Sequence, residues 1–152
     1  MPDADMQGRL RDILFRGRAI GDARLTHLVR SAHSMMALVD ADRKFVTVSD
    51  PARTIVAETY KSMDDIMTPT LAEVWAAAMD SGFFRGEVAS IQGAVDVLRV
   101  DGVRVYVEGG CHPAPLTDGL VLMLVEGREV PFDKYEAIRA QGLRVTPIED
   151  IL

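Results

Sequence analysis

The stretch Leu120-Val-Leu-Met-Leu-Val125 carries no polar side chain, and Met35-Met-Ala-Leu-Val39 repeats that feature far upstream. Successive residues of a strand point to opposite faces, so each segment, read as a strand, is apolar on both. An antiparallel sheet with one wet face shows alternation instead, and its absence predicts that both faces of these strands are covered. Short helices supply one cover. The amphipathic start of the chain supplies the other, from the same molecule or from a second copy.

Outward from these strands the remaining elements follow in order. Met6, Leu10, Ile13, Leu14 and Gly17 recur at helical spacing, with Arg9, Arg11, Arg16 and Arg18 on the opposite face. Gly21 interrupts this helix and Asp22 caps a second, in which Leu25, Leu28, Val29 and Ala32 continue the apolar stripe to about His33. The Asp40 to Arg43 turn joins Met35–Val39 to a β-prone run, Phe45–Val48, as a hairpin. Pro51 opens a helix of two or three turns carrying Ala52, Ile55, Val56 and Tyr60. The spacing of Thr70 and Glu73 predicts a capping box on a further helix whose Leu71, Val74, Trp75, Ala78 and Met79 lie on one stripe, which buries Trp75 and stops at Gly82.

The strongest local signal is Asp101-Gly102 between Val95–Val100 and Val103–Glu108, a hairpin with a two-residue turn. In its second arm Val103, Val105 and Val107 face one way, and Arg104, Tyr106 and Glu108 the other. Pro113 to Gly119 reads as a turn-rich connection into the closing strand. Glu87–Gln92 is a weak strand between Gly86 and Gly93, and Asp133 to about Gln141 is a short helix in a polar tail. Residues 1–33 thus form a helical extension, 34–127 the folded domain and 128–152 the tail.

The chain has 152 residues, a single-domain length, with 17 Lys plus Arg against 23 Asp plus Glu. A net charge of −6 argues against nucleic acid as a partner. One cysteine, Cys111, excludes an internal disulfide and argues against a structural zinc site. The acidic first residues do not resemble a signal peptide, and no apolar run is long enough to span a membrane, so a cytoplasmic protein is expected.

Met36-Ala-Leu-Val-Asp40 with Asp42-Arg-Lys, and Phe45-Val-Thr-Val-Ser-Asp-Pro-Ala52, resemble the opening hairpin and first helix of a PAS domain. Gly86-Glu-Val, Val100-Asp-Gly-Val103, Pro115 and Leu120 to Glu126 resemble its three closing strands, so the likeness covers about residues 34 to 127. Ser49-Asp50 stands where the family often has Asn, and the usual glycine between Tyr60 and Thr68 is missing. The resemblance implies an α+β fold, a curved five-stranded antiparallel sheet with short helices on one face and the N-terminal amphipathic extension on the other. It also implies a sensory or signal-transduction module that acts alone, binding a small ligand or a protein partner such as a separate kinase or regulator. Family members dimerise through a helix before the first strand, which points to a homodimer through Leu10, Ile13, Leu14, Leu25 and Leu28.

Ile55, Tyr60, Trp75, Met79, Val97, Val107 and Met123 are the residues expected between helices and sheet, lining a cavity or filling a core. Haem-binding relatives carry an axial His on the helix before the closing hairpin, and Thr70 to Gly82 has none; Met63, Met67 and Met79 more often fill core gaps than ligate iron. Photoactive flavin requires a reactive cysteine on the middle helices, whereas Cys111 belongs to the closing strands. The cofactor therefore stays unknown, with haem and photoactive flavin disfavoured. No metal site or catalytic constellation is read: His27 and His33 do not share a helix face, and the carboxylates Asp40, Asp42, Asp64, Asp65, Glu126 and Glu129 form no acid–base pair. Cys111 and His112, as strand neighbours, point apart. Two rivals remain, a ligandless interaction scaffold and a small curved-sheet enzyme of the isomerase or dehydratase kind using His112.

Overall fold

The computed structural model describes residues 22–99, 101–117 and 119–150. Helix α1 (Asp22–Arg30) precedes β1 (Met35–Val39) and β2 (Phe45–Val48). Two 3-10 turns, Asp50–Thr54 and Met63–Ile66, lead to α2 (Pro69–Ser81). Strands β3 (Val88–Leu98), β4 (Arg104–Pro115) and β5 (Val121–Glu129) follow, then α3 (Phe132–Ala140) and β6 (Arg144–Pro147). All six strands form one antiparallel sheet in the order β2-β1-β5-β4-β3-β6.

The α+β class agrees with the expectation, but the sheet has six strands instead of five. The tail adds β6 to the edge of β3, with Ile91 opposite Val145 and Gln92 opposite Arg144. A four-residue strand that ends in proline carries too little pattern to be read from sequence. The turn-rich reading of Pro113 also gives way, because β4 continues to Pro115. Its register with β3 ends at Ile91 and Cys111, so both prolines lie where β4 has a partner on one side only and a missing amide costs no second ladder. Glu87–Gln92 and Val95–Leu98 merge into the single strand β3.

The helices shorten and recap in the same way. Pro51 sits in a 3-10 turn that stops at Thr54, not in a helix of two or three turns. The second turn, Met63–Ile66, is closed by a capping box: the Asp64 amide donates to Ser62 Oγ, and Asp65 accepts from the Ser62 amide. The cap of α2 is Thr68, with Pro69 at the first helical position, and not the expected Thr70 to Glu73 box. Thr70 is drawn away because its hydroxyl donates to Asp96 Oδ1 at 2.5 Å. Gly82 ends α2 in the left-handed conformation, as its position predicts.

Alternation along the strands divides the apolar residues between two cores. Ala37, Val39, Val97, Val105 and Met123 pack beneath α2 and the 3-10 turns with Ile55, Met63, Leu71 and Trp75. On the reverse face Met36, Leu38, Ala114, Leu122 and Leu124 meet Leu25, Val29 and Ala32 of α1 and its exit. Leu25, Val29 and Leu38 have no exposed surface. The doubly apolar strands are covered on both sides as their sequence requires, and for residues 22–32 the cover comes from the same chain. Leu10, Ile13 and Leu14 lie outside the described residues.

Where β4 meets β5 the strands approach closely enough to exclude side chains. A Cβ on Gly109 would lie 2.1 Å from the Glu126 carbonyl oxygen and 2.6 Å from the Gly127 Cα. Gly109 pairs with Gly127 on one side and with Gly93 on the other, so three adjacent strands carry glycine in one row.

Leu25→Ala empties a fully enclosed site on the reverse face and is expected to lower unfolding stability by about 2–5 kcal/mol. Leu28→Ala, at a partly buried position of the same helix, is expected to cost clearly less, and urea denaturation of the two variants measures the difference.

Candidate functional site

Between the sheet and the covering helical segments lies an apolar cavity in two lobes of about 70 and 100 Å³. Met63, Leu71, Val95, Val107 and Val125 line both, so the lobes adjoin across these side chains. The first extends to Ile91, Cys111, Met123 and Leu143, and the second to Val39, Ala52, Ile55 and Val97. Their exposed lining is almost wholly apolar, although Glu126 borders both lobes and Gln92 the first.

Of the expected lining residues, Ile55 and Val97 reach the second lobe, Met123 the first, and Val107 both. Tyr60 and Trp75 pack in the same core but face neither lobe. Met79 is 50% exposed on the outer side of α2 and is no part of the interior. The buried positions of α2 are Leu71, Trp75 and Ala78, continued by Gly82, and Met79 lies about 70° round the helix from the centre of that stripe. Sequence reasoning left out Met63, Leu71, Val95 and Val125. Leu71 stood on the predicted apolar stripe of α2, and Val95 and Val125 share strand parity with Val97 and Met123, so those three were findable. Met63 reads as a filler of core gaps in preference to an iron ligand, without a place among the lining residues.

Cys111 and His112 face opposite sides, as strand neighbours do. The Cys111 thiol is buried against the first lobe, and desolvation pushes its pKa up to about 12. His112 stands opposite Leu124 on the reverse side, with Nε2 3.3 Å from Glu126 Oε1. The pair cannot act together as thiolate and base. The histidine required by the rival enzymatic reading is separated by the sheet from the apolar lobes. Among the described residues no group of three or more His, Cys, Asp or Glu side chains could hold a metal ion.

The main buried charge of this half of the molecule is Asp96, whose side chain is 8% exposed. Its carboxylate accepts from Thr70 Oγ1 and from the Tyr135 hydroxyl at 3.1 Å, and Arg104 Nε lies 3.2 Å away. Thr68 Oγ1 donates to the Asp96 carbonyl at 2.6 Å. One residue of β3 thus fastens the start of α2 and the tail helix α3. Burial first, and then Asp96, raise the Tyr135 pKa. Arg139 of α3 also reaches Glu73 of α2 at 2.9 Å.

With α2 and the 3-10 turns on one face of an antiparallel sheet whose first five strands run in the order 2-1-5-4-3, and a cavity between the layers, the chain has a PAS-like fold. Solved structures agree. A light-oxygen-voltage domain studied with a flavin analogue superposes with a TM-score of 0.59 at 16% identity, over 79% of this chain and 94% of that one. The PAS domain of an HTR-like protein from Haloarcula marismortui gives 0.52 at 21% identity over 71% and 90%. A PAS domain from Colwellia psychrerythraea gives 0.52 at 14% identity over 71% and 95%. No family model and no curated protein matches the sequence. Among the described residues no helix is long and apolar enough to cross a membrane.

The two apolar lobes by themselves are too small for flavin or haem, and the first adjoins a more open, polar cleft of about 780 Å³ past Gln92, Gly110 and Leu143. Sites for molecules of that size occupy roughly 300–1,000 Å³ and place several polar groups on the ligand. These lobes are much smaller and nearly devoid of exposed polar atoms.

Native protein is expected to resist thiol alkylation at pH 8, and unfolded protein to react at once, because the thiolate is the reacting form. The folded chain also keeps a proton that the unfolded thiol gives up above its usual value of 9.0. Stability therefore falls as pH rises from about 9 towards about 12. Comparing Cys111→Ala with the parent protein across that window checks the sign, since the substitution removes this contribution to the slope.

Proposed function

We propose that this chain is a PAS-type sensory module whose two-lobed cavity takes a compact nonpolar molecule. The observation that carries the reading is the double duty of β1. Ala37 and Val39 line the second lobe, while their neighbours Met36 and Leu38 support α1 on the reverse face. A ligand that shifts β1 on the cavity side alters the seat of α1, with no separate relay. In thermodynamic terms the ligand favours whichever seating of α1 accompanies the occupied cavity, and the shift is limited by its differential affinity for the two. The similar folds include a PAS domain from a two-component sensor histidine kinase, which supports a signalling role and a separate kinase or regulator as partner. A cytoplasmic homodimer in which the helical N-terminal extension meets its twin is part of this proposal.

A specific observation favours a second reading. Lobes of about 70 and 100 Å³ lie well under the usual size of small-molecule sites. A ligandless interaction scaffold with a loosely filled core is the alternative.

Titration of the isotopically labelled protein with benzene separates the two. Binding is expected to shift the amide resonances of Val95, Val107 and Val125, and those of α1 with them. Val107→Phe, which fills the junction of the lobes, is expected to abolish binding while leaving the folded spectrum dispersed. Saturating benzene with no shift at these residues would favour the scaffold.

A further inference from the structure

The cavity has several walls, and most cannot open cheaply. Strands β1, β3, β4 and β5 form one side with continuous ladders. Helix α2 is fastened to Asp96 by two hydroxyls. The Asp50–Thr54 turn is held at its start by Ser49, which has no exposed surface. Ser49 Oγ donates to the Ser34 carbonyl at 2.7 Å and accepts from the Met36 amide at 2.9 Å. Passage through any of these breaks paired backbone or leaves buried polar groups unsatisfied.

Two walls remain, the loop 141–143, whose Leu143 lines only the first lobe, and the segment 57–67, whose Met63 lines both. The segment 57–67 contributes two buried side chains, Met63 and Ile66, and its outer surface is polar. Its attachments to the β-hairpin fall on three consecutive residues. The Met63 amide donates to the Arg43 carbonyl at 2.8 Å, and the Phe45 amide to the Lys61 carbonyl at 2.9 Å. Lys44 and Ser62 form an isolated antiparallel bridge, and Arg43 Nε meets Asp64 Oδ1 at 3.0 Å in an exposed ion pair. Arg43 itself holds a φ of 68°, a left-handed conformation that costs any residue but glycine some energy. Its guanidinium lies 5.8 Å from the centre of the Trp75 ring. The left-handed conformation belongs to the hairpin turn, in which the Arg43 amide donates to the Asp40 carbonyl at 3.1 Å.

We propose that residues 57–67 form a flap over the cavity, released by lifting off residues 43–45, with Met63 as the stopper between ligand and solvent. The proposal rests on the ligand-binding reading above. Met63 lines both lobes, so its withdrawal opens both at once. What must part are two backbone hydrogen bonds, one solvent-exposed ion pair and the core packing of Met63, Ile66, Tyr60 and Met67, while the sheet and α2 stay whole.

Lys44→Cys together with Ser62→Cys places two thiols across the antiparallel bridge, and oxidation then fastens the flap. Buried Cys111 does not compete. Benzene exchange, read by NMR line shape, is expected to slow severalfold on oxidation and to recover on reduction in the same sample, with little change in affinity. Equal exchange rates in the two forms would overturn the flap. Hydrogen exchange needs no ligand: the Phe45 and Met63 amides are expected to exchange faster than those of Val95 and Val107 in the reduced form, and to slow on oxidation. Protection equal to that of the strands in the reduced form would also overturn it. Failure of benzene to bind contradicts the ligand-binding reading instead, and the amide exchange then decides the flap.

Discussion

Burial of the reverse face of the sheet is the constraint on which the rest depends. Met36, Leu38, Leu122 and Leu124 present a continuous apolar surface on the side away from α2. Each such side chain contributes about 1.5–3 kcal/mol when removed from water. An open reverse face would forfeit several of these contributions at once, a loss comparable to the whole stability of about 5–15 kcal/mol that a domain holds. Leu25 and Val29 prevent that loss. Helix α1 is therefore part of the folding unit, and the boundary drawn at residue 33 divides the sequence without dividing the core.

A polar counterpart holds the opposite end of the sheet. Beyond its register with β6, β3 has an open edge, and Asp96 lies on that stretch. Thr68 and Thr70 occupy its backbone and carboxylate, Tyr135 adds a bond from the tail, and Arg104 supplies the balancing charge. The bonds block the edge against pairing with another chain. They also join α2 to α3, so the tail is seated by hydrogen bonds, by ion pairs and by the Tyr106, Phe132 and Tyr135 rings. None of the side chains of α3 is buried.

Legibility in the sequence followed the range of the interaction. Asp101-Gly102 located its hairpin, and Gly82 the end of α2, because a turn or a left-handed cap is decided within a few residues; the turn itself is longer than the two residues expected, since the Arg99 amide donates to the Val103 carbonyl. The need for a reverse-face cover was readable from Met35–Val39 and Leu120–Val125, since apolarity on both faces is a property of one strand. Features decided between distant segments stayed hidden. Thr70 looked like a cap until Asp96, 26 residues away, took its hydroxyl. Pro113 and Pro115 looked like turn residues until β4 lost its neighbour on one side. The cavity was half legible: strand parity identified Val97, Val107 and Met123, but Met63 enters from an irregular segment with no period to read. Met79 showed the opposite error, an apolar stripe drawn wider than the buried face, which continues past it to Gly82 and Phe83.

The seat of α1 on its own sheet is open to direct measurement. In a sample mixing methyl-labelled and unlabelled chains, isotope-filtered nuclear Overhauser spectra distinguish contacts within a molecule from contacts between two. The account predicts intramolecular cross-peaks from the methyls of Leu25 and Val29 to those of Met36, Leu38 and Leu124. Their absence, or their appearance only between molecules, would contradict it.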